Sequence, residues 1–176
     1  MHMIQQLKEG FTRKRGESGF TIIEVMIVLA IAGLILLIVF LAVPALQRNS
    51  RNTQRKNDVA AVLAAVSEYS DNNNGQSPAT CSFASPSITV GAAPATIAQA
   101  KVGYYNAGCS ATANPGVGAV GFTAGAHAAV ATDALVITTG ANCNGTAAVV
   151  GSARGVVALY QIETGSGTVA SVCQEG

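Results

Sequence analysis

A continuous apolar run near the start of the chain is the feature that most limits how this sequence can fold. Residues 25–43, VMIVLAIAGLILLIVFLAV, are nineteen positions without a charged side chain. As an α-helix rising about 1.5 Å per residue, this run would extend about 28 Å, which is close to the hydrocarbon thickness of a bilayer. The sequence therefore predicts a membrane-spanning helix here, within a longer apolar segment, 20–46.

The residues before this run, 1–19, form a polar leader with four basic and two acidic side chains. A cleavable secretory signal is the first alternative, because basic residues also precede its apolar stretch. That stretch usually has only about 7 to 15 residues and is followed by an A-x-A cleavage site. The run here is longer, and the polar residues that follow it at 47–49 are not preceded by such a site. We therefore expect the helix to be retained.

Composition excludes several classes of protein. Charged residues make up 11% of the 176 positions, apolar residues make up 49%, and the formal net charge is +1. This balance is too hydrophobic for a disordered chain. A net charge so close to zero gives no field for binding a polyanion, so there is no strong nucleic-acid signal.

Four cysteines lie in the second half of the chain, at Cys81, Cys109, Cys143 and Cys173. They have no CxxC spacing and few histidines accompany them, so we expect neither a metal nor another cofactor. An even number of widely spaced cysteines instead predicts two disulfides in an oxidising compartment, with four reduced thiols as the alternative. Basic residues flank the apolar run on both sides and do not decide its orientation. The cysteines favour the N-terminus inside and the C-terminal part outside.

A helical pattern continues beyond the apolar run, over 47–75. Apolar residues recur at helical spacing and predict a buried stripe on one face. These residues are Val59, Val62, Leu63, Val66 and Tyr69. Asn and Gly residues at 72–75 tolerate the left-handed conformation that ends helices, and Pro78 cannot continue one. We predict one long helix over about 20–72.

Residues 77–176 are rich in Ala and Gly and carry few charges. Short Val-rich runs bounded by turn residues predict strands at 134–139, 147–150, 155–162 and 169–173. The apolar stripe of the helix needs a partner, and the inner face of this sheet provides one. The predicted fold class is therefore α+β, a long N-terminal helix packed on a small antiparallel β-sheet head. Four cysteines allow three connectivities; we pair Cys143 with Cys173 and Cys81 with Cys109.

Glu24 is the residue that composition does not explain, because it places a carboxylate at the head of a segment suited to lipid. An ionisable residue in such a segment indicates function. One interpretation is only local, since an acid near a helix N-terminus is favoured by the macrodipole. The other requires cleavage after Gly19, which would give Phe20 a free α-amine. A second chain displaced along the helix axis would then offer its amine to this carboxylate.

The leader, Gly19, the sequence FTIIE at 20–24 and the apolar run together resemble the N-terminus of type IV pilins and related pseudopilins. The resemblance covers about residues 13–46. It implies that a prepilin peptidase cuts between Gly19 and Phe20, that the new Phe20 amine is methylated, and that Glu24 supports processing and subunit docking. It also implies that the helix bends or opens near Gly33 and Pro44. The family's disulfide-closed C-terminal loop is matched by a pair that includes Cys173.

The same resemblance implies a structural subunit of a surface filament that serves adhesion, twitching motility or DNA uptake. Its implied partners are further copies of itself, the peptidase, an assembly ATPase and a platform membrane protein. Membrane lipid would surround the helix of the precursor in the inner membrane before the subunit enters the extracellular filament.

Two other functions stay open. A pseudopilin of a type II secretion or competence system has the same architecture. A membrane-anchored extracellular enzyme would need a nucleophile and base, and Cys109 or Cys143 with His127 are the candidates, although none lies in a recognisable hydrolase motif. We expect no enzymatic activity.

Overall fold

The computed structural model describes residues 19–92, 95–127, 130, 133–165 and 167–176. In this part of the chain it contains one α-helix and ten β-strands. Their bounds are α1 Ile22–Asn72, β1 Cys81–Ala84, β2 Ser87–Val90, β3 Ala98–Lys101, β4 Gly108–Ser110, β5 Ala119–Ala124, β6 Leu135–Thr139, β7 Ala141–Asn144, β8 Ala147–Val150, β9 Val156–Glu163 and β10 Val169–Glu175. The chain divides into two compact units, Met1–Ala42 and Val43–Gly176, which we describe separately. The predicted leader lies outside the described residues up to position 18.

In the first unit, the apolar part of α1 is exposed along its length. None of its most apolar stretch is buried within the chain. Length and composition therefore make this the one described helix that could cross a membrane. Large side chains such as Leu29, Leu37 and Phe40 are each at least 62% exposed in the single chain. An apolar surface of this extent needs lipid or another protein chain to cover it.

In the second unit, the remaining part of α1 carries the predicted buried stripe. Val59, Val62 and Val66 are completely buried, and Leu63 and Tyr69 are nearly so. This confirms the stripe. Full burial of each such side chain contributes about 1.5 to 3 kcal/mol, so burial of the stripe stabilises the packing of this part of α1 on the sheets.

The end of α1 follows from the backbone freedom of two residues. Asn74 and Gly75 both have positive φ, at 56° and 77°, and the helix ends before them at Asn72. Asn and Gly are the residues that adopt this left-handed conformation at least cost. The last buried residue of the stripe, Tyr69, packs its ring directly on the backbone of Gly91, where a Cβ would collide with the ring. A side chain at position 91 would therefore displace Tyr69.

The strands form a three-stranded antiparallel sheet, β1-β2-β3, and a five-stranded sheet in the order β10-β9-β6-β5-β4. The α+β class is thus confirmed. The five-stranded sheet is mixed rather than wholly antiparallel, because β4, β5 and β6 run parallel to one another.

Strands β6 and β9 are buried on both faces of the five-stranded sheet. Leu135, Ile137 and Ala158 point into the main core with the helix stripe. Val136 and Leu159 point into a second, smaller core, which the β7-β8 hairpin covers with Ala141 and Ala148. Burial on both faces explains why these strands read as almost continuous apolar runs. The head is therefore a helix, a sheet and a covering hairpin in successive layers.

Two disulfides connect these layers, Cys81–Cys109 and Cys143–Cys173, and both pairings were predicted and are confirmed. The first joins the three-stranded sheet to β4 of the five-stranded sheet. The second joins the covering hairpin to β10. Each closes a loop of about 30 residues, which adds roughly 3 to 4 kcal/mol to the stability of a head whose side chains are mostly small.

This distribution of apolar surface predicts the behaviour of a truncated protein. A fragment that begins at residue 47 should be soluble and monomeric, because the buried stripe, both cores and both disulfides lie after that position. Light scattering on the purified fragment measures its mass in solution. A fragment that still polymerises would show that the assembly contacts do not require the apolar helix.

Candidate processing and assembly site

The predicted cleavage point lies immediately before α1, in the first unit. Gly19 and Phe20 are exposed and precede the helix, and the ring of Phe20 is 85% exposed. Nothing lies within 4 Å of the position that a Cβ on Gly19 would occupy. No described residue from position 19 onward therefore covers the peptide bond between Gly19 and Phe20 in the single chain.

Thr21 and Glu24 hydrogen-bond to each other at the start of α1. The backbone N–H of Thr21 donates to Glu24 Oε2 at 2.8 Å, and the Thr21 hydroxyl donates to the same oxygen at 2.7 Å. In return, the backbone N–H of Glu24 donates to Thr21 Oγ1 at 3.3 Å. This reciprocal arrangement is a capping box, in which two side chains satisfy backbone donors that a helix start leaves unpaired.

Thr21 is a residue that sequence reasoning missed. The signal was present, because a Thr followed three residues later by Glu before an apolar run is the sequence form of a capping box. The cap gives Glu24 a structural role in the single chain, as the macrodipole interpretation expected. Both hydrogen bonds that Glu24 accepts in the described part of the chain go to Oε2. Oε1 can therefore accept a hydrogen bond from a donor on another chain. Docking through Glu24 therefore stays a prediction.

Gly33 and Pro44 were predicted as places where the helix bends or opens. The α-helical hydrogen-bonding pattern continues through both positions, and Pro44 is the proline inside α1. Proline removes one backbone donor from a helix and glycine costs about 1 kcal/mol relative to alanine. Opening at either residue stays a prediction about the assembled state.

In the second unit, a polar network fastens the helix to the loops of the head. Its centre is Arg55, whose side chain is 1% exposed. Arg55 Nη2 donates to Asp133 Oδ1 and to the hydroxyl of Tyr104, and it lies 3.1 Å from Glu163 Oε1. A buried guanidinium needs such partners, because an isolated buried charge is strongly unfavourable.

Glu163, at the end of β9, is held by two further helix residues. Arg51 donates to both carboxylate oxygens of Glu163, with Nε at 2.7 Å from Oε1. Asn52 donates from its side-chain amide to the backbone carbonyl of Glu163 and accepts from its backbone N–H, both at 2.9 Å. The hydrogen bonds from Arg51 are the main reason that the pKa of the Glu163 carboxyl lies below its ordinary value.

Asp58 organises the loop at 103–105 in a similar way. Its carboxylate accepts from the backbone N–H groups of three successive residues, Gly103, Tyr104 and Tyr105, at 2.7 to 3.0 Å. The basic residues after the apolar run entered the sequence analysis only as evidence on orientation. The structure shows that two of them, Arg51 and Arg55, pair with acids of their own chain.

The network predicts how the stability of the head responds to acid. Because the pKa of Glu163 is lowered on folding, its contribution is fully present above its unfolded value of 4.5 and is lost as pH falls through the folded value. As pH falls below about 4.5, the free energy of unfolding should therefore decrease more steeply for the natural chain than for Glu163→Gln. Urea unfolding of the fragment from residue 47 at several pH values measures this. Parallel slopes for the two proteins would contradict it.

The residues proposed for an enzyme are occupied elsewhere in the fold. Both sulfurs, those of Cys109 and Cys143, are in disulfides. His127 exchanges two backbone hydrogen bonds with Ala148, at 2.9 and 3.0 Å, and so anchors the covering hairpin. Over the described ranges, His, Cys, Asp and Glu side chains form no group of three that could hold a metal ion.

Comparison with known families gives a match near the start of the chain. Residues 14–40 match the family profile described as the prokaryotic N-terminal methylation motif. Comparisons with curated proteins and with solved structures give no significant match. The matched range contains Gly19, Phe20 and Glu24, which confirms the resemblance to the type IV prepilin signal. The motif indicates a type IV pilin-like or pseudopilin subunit that is processed by a prepilin peptidase, and the apolar helix indicates a membrane-anchored precursor.

Proposed function

We propose that this chain is a type IV pilin, the structural subunit of a surface filament used in adhesion, twitching motility or DNA uptake, and that it has no enzymatic activity. The observation that carries the proposal is the methylation motif at residues 14–40, placed at the start of a helix whose apolar surface is wholly uncovered in the single chain. A subunit that must exchange lipid for neighbouring subunits needs such a surface. The disulfides at Cys109 and Cys143 also remove the thiols that an enzyme of this kind would use.

Processing converts the precursor into a subunit that can dock. Cleavage after Gly19 gives Phe20 a charged α-amine, which methylation leaves charged at neutral pH. The amine of one chain pairs with the Glu24 carboxylate of its neighbour. At about 4 Å and an effective dielectric of about 20, their attraction is about 4 kcal/mol before desolvation is subtracted. This is enough to select one register between apolar helices that would otherwise slide.

The apolar helices form the axis of the filament and the heads form its outer surface. Moving a helix from lipid into a bundle of helices exchanges one apolar environment for another, so the apolar segment of the subunit never meets water. An assembly ATPase and a platform membrane protein supply the work and the guidance for this transfer. The same contact repeated without closing produces a filament rather than a ring.

The head occupies the oxidising side of the membrane and the leader the cytoplasmic side. Two disulfides in a head of small side chains support this orientation, since disulfides persist in oxidising compartments. The precursor therefore resides in the inner membrane with its N-terminus inside, and the mature subunit becomes extracellular.

Mass spectrometry of sheared surface filaments tests the proposal. The filaments should contain this chain beginning at Phe20, with a methyl group on its amine and without residues 1–19. The precursor with its leader should be found only in the membrane fraction. Surface filaments that contain chains retaining the leader would exclude processing, and the absence of the chain from all filaments would exclude the pilin function.

A pseudopilin of a type II secretion or competence system is the second candidate, because the methylation motif does not distinguish it from a pilin. The described head has few carboxylates that could form the calcium-binding loop of a secretion pseudopilin. After the helix it has two basic residues, Lys101 and Arg154, which offer little for binding the DNA that a competence pseudopilin captures. Deletion of the gene separates the two. Loss of long surface filaments supports the pilin, whereas loss of protein secretion with filaments retained supports the pseudopilin.

A further inference from the structure

The exposed face of α1 in the second unit carries opposite charges at its two ends. We define this face as the polar stripe, with Lys56 at one end, Glu68 and Asp71 at the other, and Ala60, Ala64 and Ser67 between them. All six side chains are exposed. They lie opposite the buried stripe, and successive members are separated by one to four residues, which keeps them within about a third of the helix circumference.

The charges of the polar stripe have no ion-pair partner among the residues that the structure describes. The ion pairs of the described head join Arg51 and Arg55 to Asp133 and Glu163. These two bases and two acids neutralise one another, and Lys56 forms no ion pair with a described acid. Glu68 and Asp71 are likewise left without a base, although Asp71 lines a small pocket together with Arg154.

Within one chain the two ends of the polar stripe are too far apart to interact. At about 1.5 Å per residue, Lys56 lies about 18 Å from Glu68 along the helix and about 22 Å from Asp71. The Debye length at physiological ionic strength is about 8 Å. Their attraction can therefore be realised only between two molecules.

We propose that the polar stripe is a contact surface for a second copy of this chain, displaced by about 18 to 22 Å along the helix axis. The displacement places Lys56 of one copy against Glu68 and Asp71 of the next. The occupant is another copy because the stripe is complementary to itself in charge only after such a shift. The short side chains of Ala60 and Ala64 allow the two surfaces to approach. Since each copy offers one basic and one acidic end, the contact repeats along a line without closing.

This inference rests on the proposed filament and adds a specific offset between neighbouring subunits. The test is a charge exchange in the full-length chain, with the yield of sheared filaments as the readout. Lys56→Glu and Glu68→Lys should each lower the yield about fivefold or more, since each contact repeats in every subunit. The double variant should restore the yield to near that of the natural chain. Lys101→Glu is the matched control, because it makes the same charge change at an exposed position outside the stripe.

Cross-linking separates the offset from a general effect of charge. Lys56→Cys combined with Glu68→Cys should give a ladder of disulfide-linked chains in filaments after mild oxidation. The two positions lie too far apart on one helix to form a bond within a chain, so each rung must join two copies. Lys56→Cys with Lys101→Cys should give no ladder.

Three results would overturn the inference while leaving the filament in place. These are single reversals that do not change the yield, a charge exchange as defective as either single variant, or no ladder in intact filaments. Single reversals that lower membrane association equally would indicate that Lys56 faces anionic lipid instead. If the natural chain forms no filaments, the proposed function itself fails, so the two failures are distinguishable.

Discussion

Replacing Glu24 by Gln is expected to lower the incorporation of this chain into filaments by more than about tenfold while leaving its membrane insertion unchanged. Gln at this position still accepts hydrogen bonds from Thr21, so the helix cap survives. What it removes is the negative charge that pairs with the Phe20 amine of the neighbouring copy. A net loss of only 1.4 kcal/mol per contact changes an equilibrium tenfold. Immunoblots of sheared and membrane fractions measure both quantities.

Thr21→Ala is the matched control, because it weakens the cap and leaves the charge of Glu24 in place. Loss of an N-terminal cap costs about 0.5 to 2 kcal/mol of helix stability, most of which packing in lipid or in the filament should absorb. We therefore expect filament yield near the natural level. Glu24→Ala, which removes both functions, should be at least as defective as Glu24→Gln. N-terminal mass analysis of the membrane-bound variants shows whether the leader was removed. Normal filament yield from Glu24→Gln would remove the charge from the mechanism.

Replacing Arg55 by Met is expected to destabilise the head by about 3 kcal/mol. Removal of one partner from a buried ion pair costs about 3 to 5 kcal/mol. The lower end applies here because Asp133 keeps 31% of its side chain exposed and Glu163 keeps its hydrogen bonds with Arg51. Met preserves most of the volume, so the loss reports the uncompensated acid rather than a cavity. The free energy of unfolding of the fragment from residue 47, measured in urea, gives the effect.

Lys56→Met is the control for this experiment, since it makes a similar chemical change at the next residue, which is exposed. Surface substitutions of this kind usually change stability by no more than about 0.5 kcal/mol. Adding Asp133→Asn to Arg55→Met should recover part of the loss, because the unpaired charge is then gone. If Arg55→Met unfolds with the same midpoint and slope as the natural fragment, the network does not hold the helix to the head.

The parts of the fold that sequence predicted are those where one physical signal dominates. The apolar run, the stripe from Val59 to Tyr69 and the stop after Asn72 follow directly from helical periodicity and turn chemistry. All four predicted strands were Val-rich runs, and they correspond to β6, β8, β9 and β10. Strands such as β3, AQAK, and β4, GCS, contain little of the β-branched residues that mark a strand. Their existence depends on pairing with neighbours distant in sequence, which no local pattern contains.

The candidate site was predicted unevenly for a similar reason. Gly19, Phe20 and Glu24 lie in one short segment, so their relation is visible in the sequence itself. Neither Arg55 nor Asp58 was predicted to be buried, although each lies one turn before a member of the buried stripe, Val59 and Val62 respectively. Their position on the same face of the helix as the buried stripe could have predicted their burial. The acids that pair with Arg55, Asp133 and Glu163, lie more than 70 residues away in the sequence, and the loop that Asp58 binds lies more than 40 residues away, so only the folded chain brings these groups together.

The capping box has a consequence for maturation. Thr21 and Glu24 both follow the proposed scissile bond, so the hydrogen bonds that start α1 do not depend on anything the peptidase removes. Cleavage would then leave the geometry of the first turn of α1 unchanged. It would alter only the charge there, by adding a positively charged amine at Phe20 while the Glu24 carboxylate is already held in place. Maturation would thus require no refolding of α1, and a newly cleaved subunit could enter the growing filament at once.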